Sequence, residues 1–425
     1  MRWTLRGGLS VHAADLPAPS GPVPVQITEE AGLTATWDED FRVEALVAEG
    51  DRVAQGAPVL RSRRYPEIVV TAPMAARVAK IGLNAGRRLS RIVFYGESDA
   101  GRHEFDTNVA KRLDDSAAVR LALQQSGLWR HFRSRPFGQE PRPDESPMAI
   151  VVMARDTRPA APDPRLALAG RESEFERGLR ALLTLGDGPV YVCQAGAADL
   201  VDAKGFDARL RIVRNGGRHP WGLAGFQIHQ IHPAAPGKPV WDLHAEDVAG
   251  IGAYLETGLV PETRLISVTG SALRQQRHVR CQPGADLRGL SHGFVKPGRH
   301  TILSGSALDG HEARWLGLRH RQATVISGDA GGQRRHWFLS ALRGASRPLP
   351  IIPTAALDHA MGGALPAAAF LRALSAGDTE TAVKLGALSF LAEDMALVDY
   401  VTGAEPRFSE VLSAVLERIE QEEIG

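Results

Sequence analysis

Residues 148–154 read M-A-I-V-V-M-A, an apolar run that predicts a buried β-strand. A helical pattern, E-F-E-R-G-L-R-A-L-L-T-L, follows at 174–185 and ends at Gly186. Further strands are predicted at 189–193, P-V-Y-V-C, and at 210–214, L-R-I-V-R. Strand, helix and strand in this order are typical of a parallel sheet, so the middle of the chain is predicted to be an α/β domain.

The predicted α/β domain lacks a recognisable dinucleotide loop. Such loops place G-x-G-x-x-G between a strand and a helix. The turn G-D-G-P-V-Y-V at 186–192 precedes its strand instead. The sequence therefore does not predict a dinucleotide site of the usual kind.

Residues 41–95 form a second pattern of short apolar strands, separated by turns such as E-G-D and A-Q-G. The pattern resembles a biotinyl/lipoyl carrier, a small barrel sandwich in which a hairpin lysine takes the cofactor. The corresponding hairpin here, R-S-R-R-Y-P at 61–66, contains no lysine, and Lys80 lies within a predicted strand. We therefore expect this module to be structural.

Composition limits the classes of function. The 425 residues suffice for about three or four domains, and 50 basic against 49 acidic residues leave a net charge of +1, which favours neither nucleic acid nor an anionic membrane surface. Cys193 and Cys281 lie far apart, which argues against a disulfide scaffold, a zinc ribbon or a cysteine-ligated cluster. No apolar stretch approaches the ~20 residues that span a bilayer, so any membrane role is expected to be peripheral.

The segment at 126–137, S-G-L-W-R-H-F-R-S-R-P-F, is the main candidate for a binding site. Aromatic faces beside guanidinium groups suit a flat, partly polar ligand or an anionic head group. Two other interpretations stay open. In one, Trp129 and Phe132 belong to the core and the arginines are solvated; in the other, the segment docks onto a membrane-embedded partner.

Histidines occur as H-Q-I-H at 229–232, but the following I-H-P-A-A-P should end any helix there, so we expect a domain or subunit interface and no metal site. Strand patterns return between 262 and 330, and the chain becomes helical from about 358. Asp378 or Thr379 is expected to cap a helix. The resulting division is a barrel-sandwich domain at 1–110, an α/β domain at 111–258, a β-grasp domain at 259–330 and a helical domain at 331–425.

Six short motifs, in order along the chain, resemble the A subunit of the sodium-translocating NADH:quinone oxidoreductase, a bacterial respiratory pump. They are the segment at 126–137, M-A-R-D-T-R-P-A-A (153–161), V-Y-V-C (190–193), H-P-W-G-L-A-G (219–225), S-G-S-A-L-D-G-H (304–311) and A-G-D-T-E-T-A-V-K-L-G-A-L (376–388). The resemblance implies a multidomain α+β and α/β fold. Its parts are a biotinyl/lipoyl-like barrel sandwich, a Rossmann-like parallel α/β domain, a β-grasp domain of the SLBB type and a C-terminal helical bundle. Such a fold is distantly similar to the C subunit of the Rnf complex and to the flavin-binding subunit of complex I.

The resemblance also implies a peripheral subunit on the cytoplasmic face of the bacterial inner membrane, in a complex with integral membrane subunits and linked to ubiquinone reduction. The region where the C subunit of the Rnf complex has its cysteines reads E-D-M-A-L-V-D-Y-V-T-G at 393–403, without any. Cluster binding needs about four thiolates. We therefore expect no cofactor on this chain, with flavins and iron centres on other subunits and ubiquinone as a ligand.

A quinone needs a flat apolar slot and donors in the plane of its ring. Trp129, Phe132 and Phe137 are predicted to stack on the ring, and Arg133 and Arg135 to donate to its carbonyls. Trp37 and Phe41 are weaker candidates, placed nearby by the resemblance. Loss of Arg135 or Phe137 is then expected to weaken quinone binding; the alternative is a purely structural scaffold, with quinone bound elsewhere.

Overall fold

The parallel sheet of the α/β domain is covered on both faces, which explains why its middle strand, at 149–154, is an unbroken apolar run. Ile150 and Val152 pack on one side, whereas Val151 and Met153 pack on the other. The structure, a computed structural model, describes residues 7–10, 16, 21–35, 41–196, 198–328 and 353–424.

The N-terminal domain is a barrel sandwich of two antiparallel sheets, as predicted. Its strands are β1 (Glu30–Leu33), β2 (Val43–Ala45), β3 (Arg52–Val53), β4 (Pro58–Ser62), β5 (Val69–Thr71), β6 (Ala76–Asn84) and β7 (Arg88–Gly96). The sheet orders are β1-β7-β6-β3 and β2-β4-β5. Lys80 lies within β6, away from the hairpin that follows β4.

The second domain is the predicted α/β domain. Its strands are β8 (Arg133–Arg135), β9 (Ala149–Ala154), β10 (Val190–Gln194), β11 (Leu210–Arg214) and β12 (Val240–His244), in the order β11-β10-β9-β12-β8. Strands β9 to β12 are parallel, and β8 is an antiparallel edge strand. The helices are α1 (Ser116–Gln125), α2 (Pro164–Leu168), α3 (Glu172–Thr184), α4 (Ala224–Ile231) and α5 (Ala245–Thr257).

The helix that leads into the segment at 126–137 ends just before it. Helix α1 ends at Gln125. Gly127 adopts a left-handed conformation with φ of 78°, which breaks the helix at little cost. A short 3-10 helix (Leu128–His131) and strand β8 follow, so the segment turns back along the edge of the sheet.

Helices α3 and α5 approach each other closely through two glycines. A Cβ atom at Gly178 would lie 2.0 Å from the carbonyl oxygen of Val248, and one at Gly252 would lie 1.9 Å from that of Glu174. Any side chain at either position would therefore push the two helices apart.

The third domain has the β-grasp arrangement. Its strands are β13 (Arg264–Thr269), β14 (Arg277–Cys281), β15 (His300–Ser304), β16 (His311–Glu312) and β17 (Gln322–Ser327), with the short helix α6 (Leu287–Ser291). The sheet order is β14-β13-β17-β15-β16, in which only the β13–β17 pair is parallel among the described strands.

The C-terminal part is helical, with α7 (Ala355–Ala360), α8 (Ala367–Ala376), α9 (Thr379–Lys384), α10 (Ala396–Thr402) and α11 (Phe408–Ile424). Asp378 caps α9 as predicted, because its carboxylate accepts a hydrogen bond from the Thr381 amide. The domain shares one core with the second face of the α/β sheet, where Phe226 meets Phe390. Among the described helices, none combines the length and apolar character needed to cross a bilayer.

Candidate functional site

The aromatic residues of the segment at 126–137 divide between two cores. Trp129 and Phe132 are fully buried against Trp241, with ring centroids 5.3 and 5.4 Å from it. The Trp129 Nε1 donates to the carbonyl oxygen of Pro141 at 2.8 Å. Phe137 is half-buried and packs instead on the core shared with the helical domain. The faces of Trp129 and Phe132 are therefore in contact with protein.

The two arginines of β8 lie on the same face, because alternate residues of a strand point the same way. Asp242, on the adjacent strand β12, binds both. Its Oδ1 accepts from the Arg135 Nε at 2.9 Å, and its Oδ2 accepts from an Arg133 Nη at the same distance. The pattern R-S-R thus presents two cations to one carboxylate.

The helical domain supplies the remaining partners of these arginines. Glu393 forms a bidentate pair with Arg133, with both distances 2.7 Å. Asp394 pairs with Arg135 at 2.7 Å, and the same Nη1 donates to the carbonyl oxygen of Ser389. Arg135 and Asp394 are both fully buried. Charge-assisted bonds of this geometry are the strong ones.

Arg158 extends the network to the β-grasp domain. It pairs with Asp309 of that domain, with Asp156 at 2.9 Å and with Glu393 at 3.5 Å. We call the set of eight residues the arginine–carboxylate cluster: Arg133, Arg135, Arg158, Asp156, Asp242, Asp309, Glu393 and Asp394. It connects the α/β, β-grasp and helical domains.

The cluster shifts the pKa values of its carboxyls. Burial opposes ionisation of Glu393, but Arg133 and Arg158 outweigh burial and hold the pKa of that carboxyl well below its ordinary value. The pKa values of Asp242 and Asp309 are lowered in the same way against burial, by Arg133 and Arg158 respectively. Burial instead raises the pKa of Asp394, beyond what Arg135 offsets.

We expect the free energy of unfolding to fall steeply with acidification below about pH 4.5, where carboxylates protonate in an unfolded chain. A carboxyl whose pKa is lowered by folding stabilises the protein above its unfolded pKa, and this stabilisation is lost as pH falls through its folded pKa. Folding raises the pKa of Asp394 instead, so protonation of this carboxyl on acidification stabilises the folded chain and offsets part of the loss. Glu393→Gln should flatten the dependence, measured by urea unfolding between pH 7 and 3.

Glu422→Gln is the matched control, because Glu422 is exposed in a pair with Arg418 at 3.1 Å. It should follow the profile of the unsubstituted chain. An unchanged acid slope in Glu393→Gln would contradict the assigned role of Glu393.

The other predicted site residues lie apart from this cluster. Phe41 belongs to the barrel-sandwich core, and the guanidinium of Arg130 stacks 4.3 Å from its ring centroid. Trp37 lies outside the described residues. The structure thus brings together Trp129 with Phe132 and Arg133 with Arg135, and places Phe137 and Phe41 in two other cores. Quinone binding by these residues stays a prediction.

Arg133 and Arg135 are not solvated, in contrast to one of the interpretations of the sequence. Arg135 is fully buried and Arg133 has an exposed side-chain fraction of 11%. Arg133 donates to Asp242 and Glu393, and Arg135 donates through its Nε to Asp242 and through its Nη1 to Asp394. The Nη2 of Arg135 has no hydrogen-bond partner among the described residues, but it is buried 4.0 Å from Glu393, so neither arginine presents a free fork to a ligand. The core interpretation of Trp129 and Phe132 agrees with their placement.

A second polar group lies beside the first turn of α5, behind His131. The Nη2 of Arg321 donates to both carboxylate oxygens of Asp247, each at 2.7 Å, and Arg280 binds Glu246 at 3.1 Å. His131 Nδ1 lies 3.1 Å from the Asp247 carboxylate. Burial lowers the pKa of His131, and the nearby Asp247 only partly offsets it.

This second group borders a cleft of about 80 Å³, which we call the junction cleft. Three domains line it: the barrel sandwich through Leu33 and Val70–Pro73, the α/β domain through Gly127, Leu128, His131 and Asp247, and the β-grasp domain through Arg264 and Leu318. The segment at 126–137 therefore reaches an open space at its N-terminal end.

The described residues hold no group of three or more His, Cys, Asp and Glu side chains placed to bind a metal ion. Both cysteines are buried, and burial raises the pKa of Cys281 to about 12. Of the two histidines predicted to lie at an interface, His229 packs against Phe390 of the helical domain, whereas His232 packs against Tyr191 of its own domain.

Sequence reasoning missed Asp242, Glu393, Asp394, Arg158 and Arg264. One signal was available for the first of these: V-W-D-L-H at 240–244 places a charged residue inside an apolar strand pattern, and a buried charge needs a partner. The pairing of Glu393 and Asp394 with residues some 260 positions earlier has no local signal.

Three family models match the chain: the NqrA N-terminal barrel-sandwich hybrid domain at 8–96, the NqrA second alpha/beta domain at 114–260 and the NQRA C-terminal domain, of the SLBB type, at 265–314. The chain is similar to curated proteins described as the A subunit of Na(+)-translocating NADH-quinone reductase. It is 32% identical to that of Pasteurella multocida (93% of this chain, 94% of the relative), 31% identical to that of Neisseria gonorrhoeae (98% and 99%) and 34% identical to that of Pseudomonas aeruginosa (88% and 89%).

Among solved structures, the chain aligns with one from a crystal structure of NAD+-reducing [NiFe]-hydrogenase in the air-oxidized state. The alignment covers 74% of this chain and 67% of the other, with a TM-score of 0.38 and 13% identity. Similarity at that level carries no argument about function.

Proposed function

The chain belongs to the NqrA family, the A subunits of the Na(+)-translocating NADH-quinone reductase, and from this premise we propose how it contributes to that enzyme. It acts as a peripheral subunit on the cytoplasmic face of the bacterial inner membrane. There it assembles with the integral membrane subunits and contributes to binding ubiquinone. It carries no redox centre of its own, and electrons pass through flavins and iron centres on other subunits.

The assembly role is the one that the geometry supports best, and the arginine–carboxylate cluster is the observation that carries it. Arg135 joins the edge of the α/β sheet to Asp394 of the helical domain, while Arg158 joins the same sheet to Asp309 of the β-grasp domain. Buried pairs of this kind fix geometry more than they add stability. A protein that acts through its surface needs such a fixed arrangement of domains.

Recovery of partners tests the assembly role. An affinity-tagged chain isolated from its native membranes should bring the integral membrane subunits with it. Arg135→Ala, which breaks the cluster, should reduce that recovery more than Arg418→Ala, which removes an exposed pair. Full recovery of the membrane subunits with Arg135→Ala would contradict the role of the cluster in assembly.

Quinone binding is the second candidate function, favoured by the incomplete burial of Phe137 at the end of the segment at 126–137. Phe137 is half-buried, two residues after the fully buried Arg135, and we propose that its ring stacks on the quinone. The position of Phe137 then depends on four other residues of the segment, and loss of any of them would weaken quinone binding indirectly: Trp129, Phe132, Arg133 and Arg135. The alternative is a purely structural scaffold, and it is favoured by the ion pairs that Arg133 and Arg135 already form with carboxylates.

Phe137→Ala is expected to weaken ubiquinone binding to the isolated chain about 5-fold to 10-fold, the loss of one stacking partner. Arg135→Ala is less informative here, because it also breaks the buried cluster. The measurement is a fluorescence titration with a short-chain ubiquinone, and Phe206→Ala, another half-buried phenylalanine, is the control. Unchanged quinone affinity with Phe137→Ala would leave the scaffold alternative.

A further inference from the structure

The junction cleft contains a buried cation without a carboxylate partner. Arg264 opens strand β13, has an exposed fraction of only 5% and lines the cleft. Its Nη1 donates to the carbonyl oxygen of Leu318. Its Nε has no hydrogen-bond partner within the part of the chain that the structure describes, and no ion pair forms between Arg264 and a described residue.

The carboxylates nearby are already paired. Asp247 accepts two bonds from Arg321, and Glu246 accepts through its Oε1 from Arg280 and from the Leu265 amide, while its Oε2 makes no hydrogen bond with a described residue and lies 3.4 Å from the Arg321 Nε. Arg264, Arg280 and Arg321 therefore face two carboxylates, and the group has an excess of one positive charge. Burial is the main cause that lowers the pKa of Arg264, to about 10, so it stays charged at neutral pH.

The neighbouring histidines do not change this balance at neutral pH. Burial lowers the pKa of His131, and burial together with Arg321 lowers that of His244 to about 3. Arg130 and Arg171, which also line the cleft, pair with Glu140 and with Glu174 respectively. The excess charge is therefore carried by Arg264.

We propose that the junction cleft binds a small oxyanion, a phosphate or a carboxylate, through the guanidinium of Arg264. A buried charge is costly unless it is paired, and an anion at the cleft would supply the pair. The planar fork of arginine matches the oxygens of phosphate and carboxylate groups. The volume of about 80 Å³ holds several atoms of such an anion.

This site is distinct from the proposed quinone contact. It rests on Arg264 and the first turn of α5, whereas the quinone proposal rests on Phe137, in another core. Failure of one proposal leaves the other unaffected, because anion binding and quinone binding are measured separately.

Isothermal titration calorimetry tests the proposal. The full chain is titrated separately with inorganic phosphate, sulfate and acetate, and chloride keeps the ionic strength constant. One saturable site is expected for at least one of these anions, and the preferred anion identifies the source as phosphate-like or carboxylate-like. Arg264→Gln should weaken that binding at least 10-fold, whereas Arg264→Lys, which keeps the charge, should weaken it less. Arg171→Gln is the matched control, since Arg171 lines the same cleft within an ion pair, and should change the affinity less than about twofold.

Thermal unfolding supplies a second readout. Without an anion, Arg264→Gln should unfold at the same temperature as the unsubstituted chain or higher, because it removes an uncompensated buried charge. The preferred anion should raise the unfolding temperature of the unsubstituted chain only. Absence of saturable binding of all three anions, equal binding by Arg264→Gln, or a marked loss of stability in that variant without anion would each overturn the proposal.

Discussion

Replacing Arg135 by alanine is expected to lower the free energy of unfolding by about 3–5 kcal/mol, because it breaks a buried ion pair from one side. Asp394, which is fully buried, would keep as partners among the described residues only the amides of Leu391 and Gly225, at 2.8 and 3.3 Å. Asp242 would retain Arg133. Urea unfolding at pH 7, followed by circular dichroism, measures the change.

Arg418→Ala provides the comparison, because Arg418 forms an exposed pair with Glu422 four residues later. Such pairs contribute about 0.3–0.5 kcal/mol. A loss of less than about 1 kcal/mol for Arg135→Ala would show that the arginine–carboxylate cluster does not hold the domains together.

Gly252→Ala should destabilise the α/β domain by about 3 kcal/mol or more, at the upper end of the usual cost of overpacking. Its new Cβ atom would stand 1.9 Å from the Glu174 carbonyl oxygen and 2.8 Å from the Gly178 amide nitrogen, and neither backbone atom can turn aside. The helices α3 and α5 must separate to admit it. Gly178→Ala should have a similar effect, since its Cβ would meet the Val248 carbonyl.

The control is Gly205→Ala, at a position where a Cβ atom meets nothing within 4 Å and φ is not positive. That change should stay within about 0.5 kcal/mol of the unsubstituted chain. Equal unfolding midpoints for Gly252→Ala and Gly205→Ala would mean that the two helices can separate at no cost.

The fold was largely predictable because its signals are local. The apolar run at 148–154 and the helical period at 174–185 predict β9 and α3 to within about two residues, and Asp378 caps α9 as its type suggests. Strand β8 was missed because three residues with two arginines carry no apolar alternation. Its existence depends on β12, more than a hundred residues later.

Composition singles out the candidate segment, but the partners of its side chains could not be predicted. Residues 126–137 stand out by composition, and they do lie where domains meet. Whether Arg133 faces a ligand or a carboxylate depends on Asp242 and Glu393, which are 109 and 260 residues away in the chain. Arg264 could not be recognised at all, because an arginine at the start of a strand is ordinary until its burial is known.

The cluster also has a consequence for how the chain reaches its final form during synthesis. Domains fold from the N-terminus as the chain emerges, so strand β8 exists well before Glu393 and Asp394 have been added. During that interval Arg135 and Arg133 have only Asp242 to share, and the face of the sheet that later meets Phe390 is uncovered. The helical part at 353–424 therefore completes a core and supplies a second carboxylate to each of these arginines in one step, so the α/β domain is finished only after this part has been synthesised.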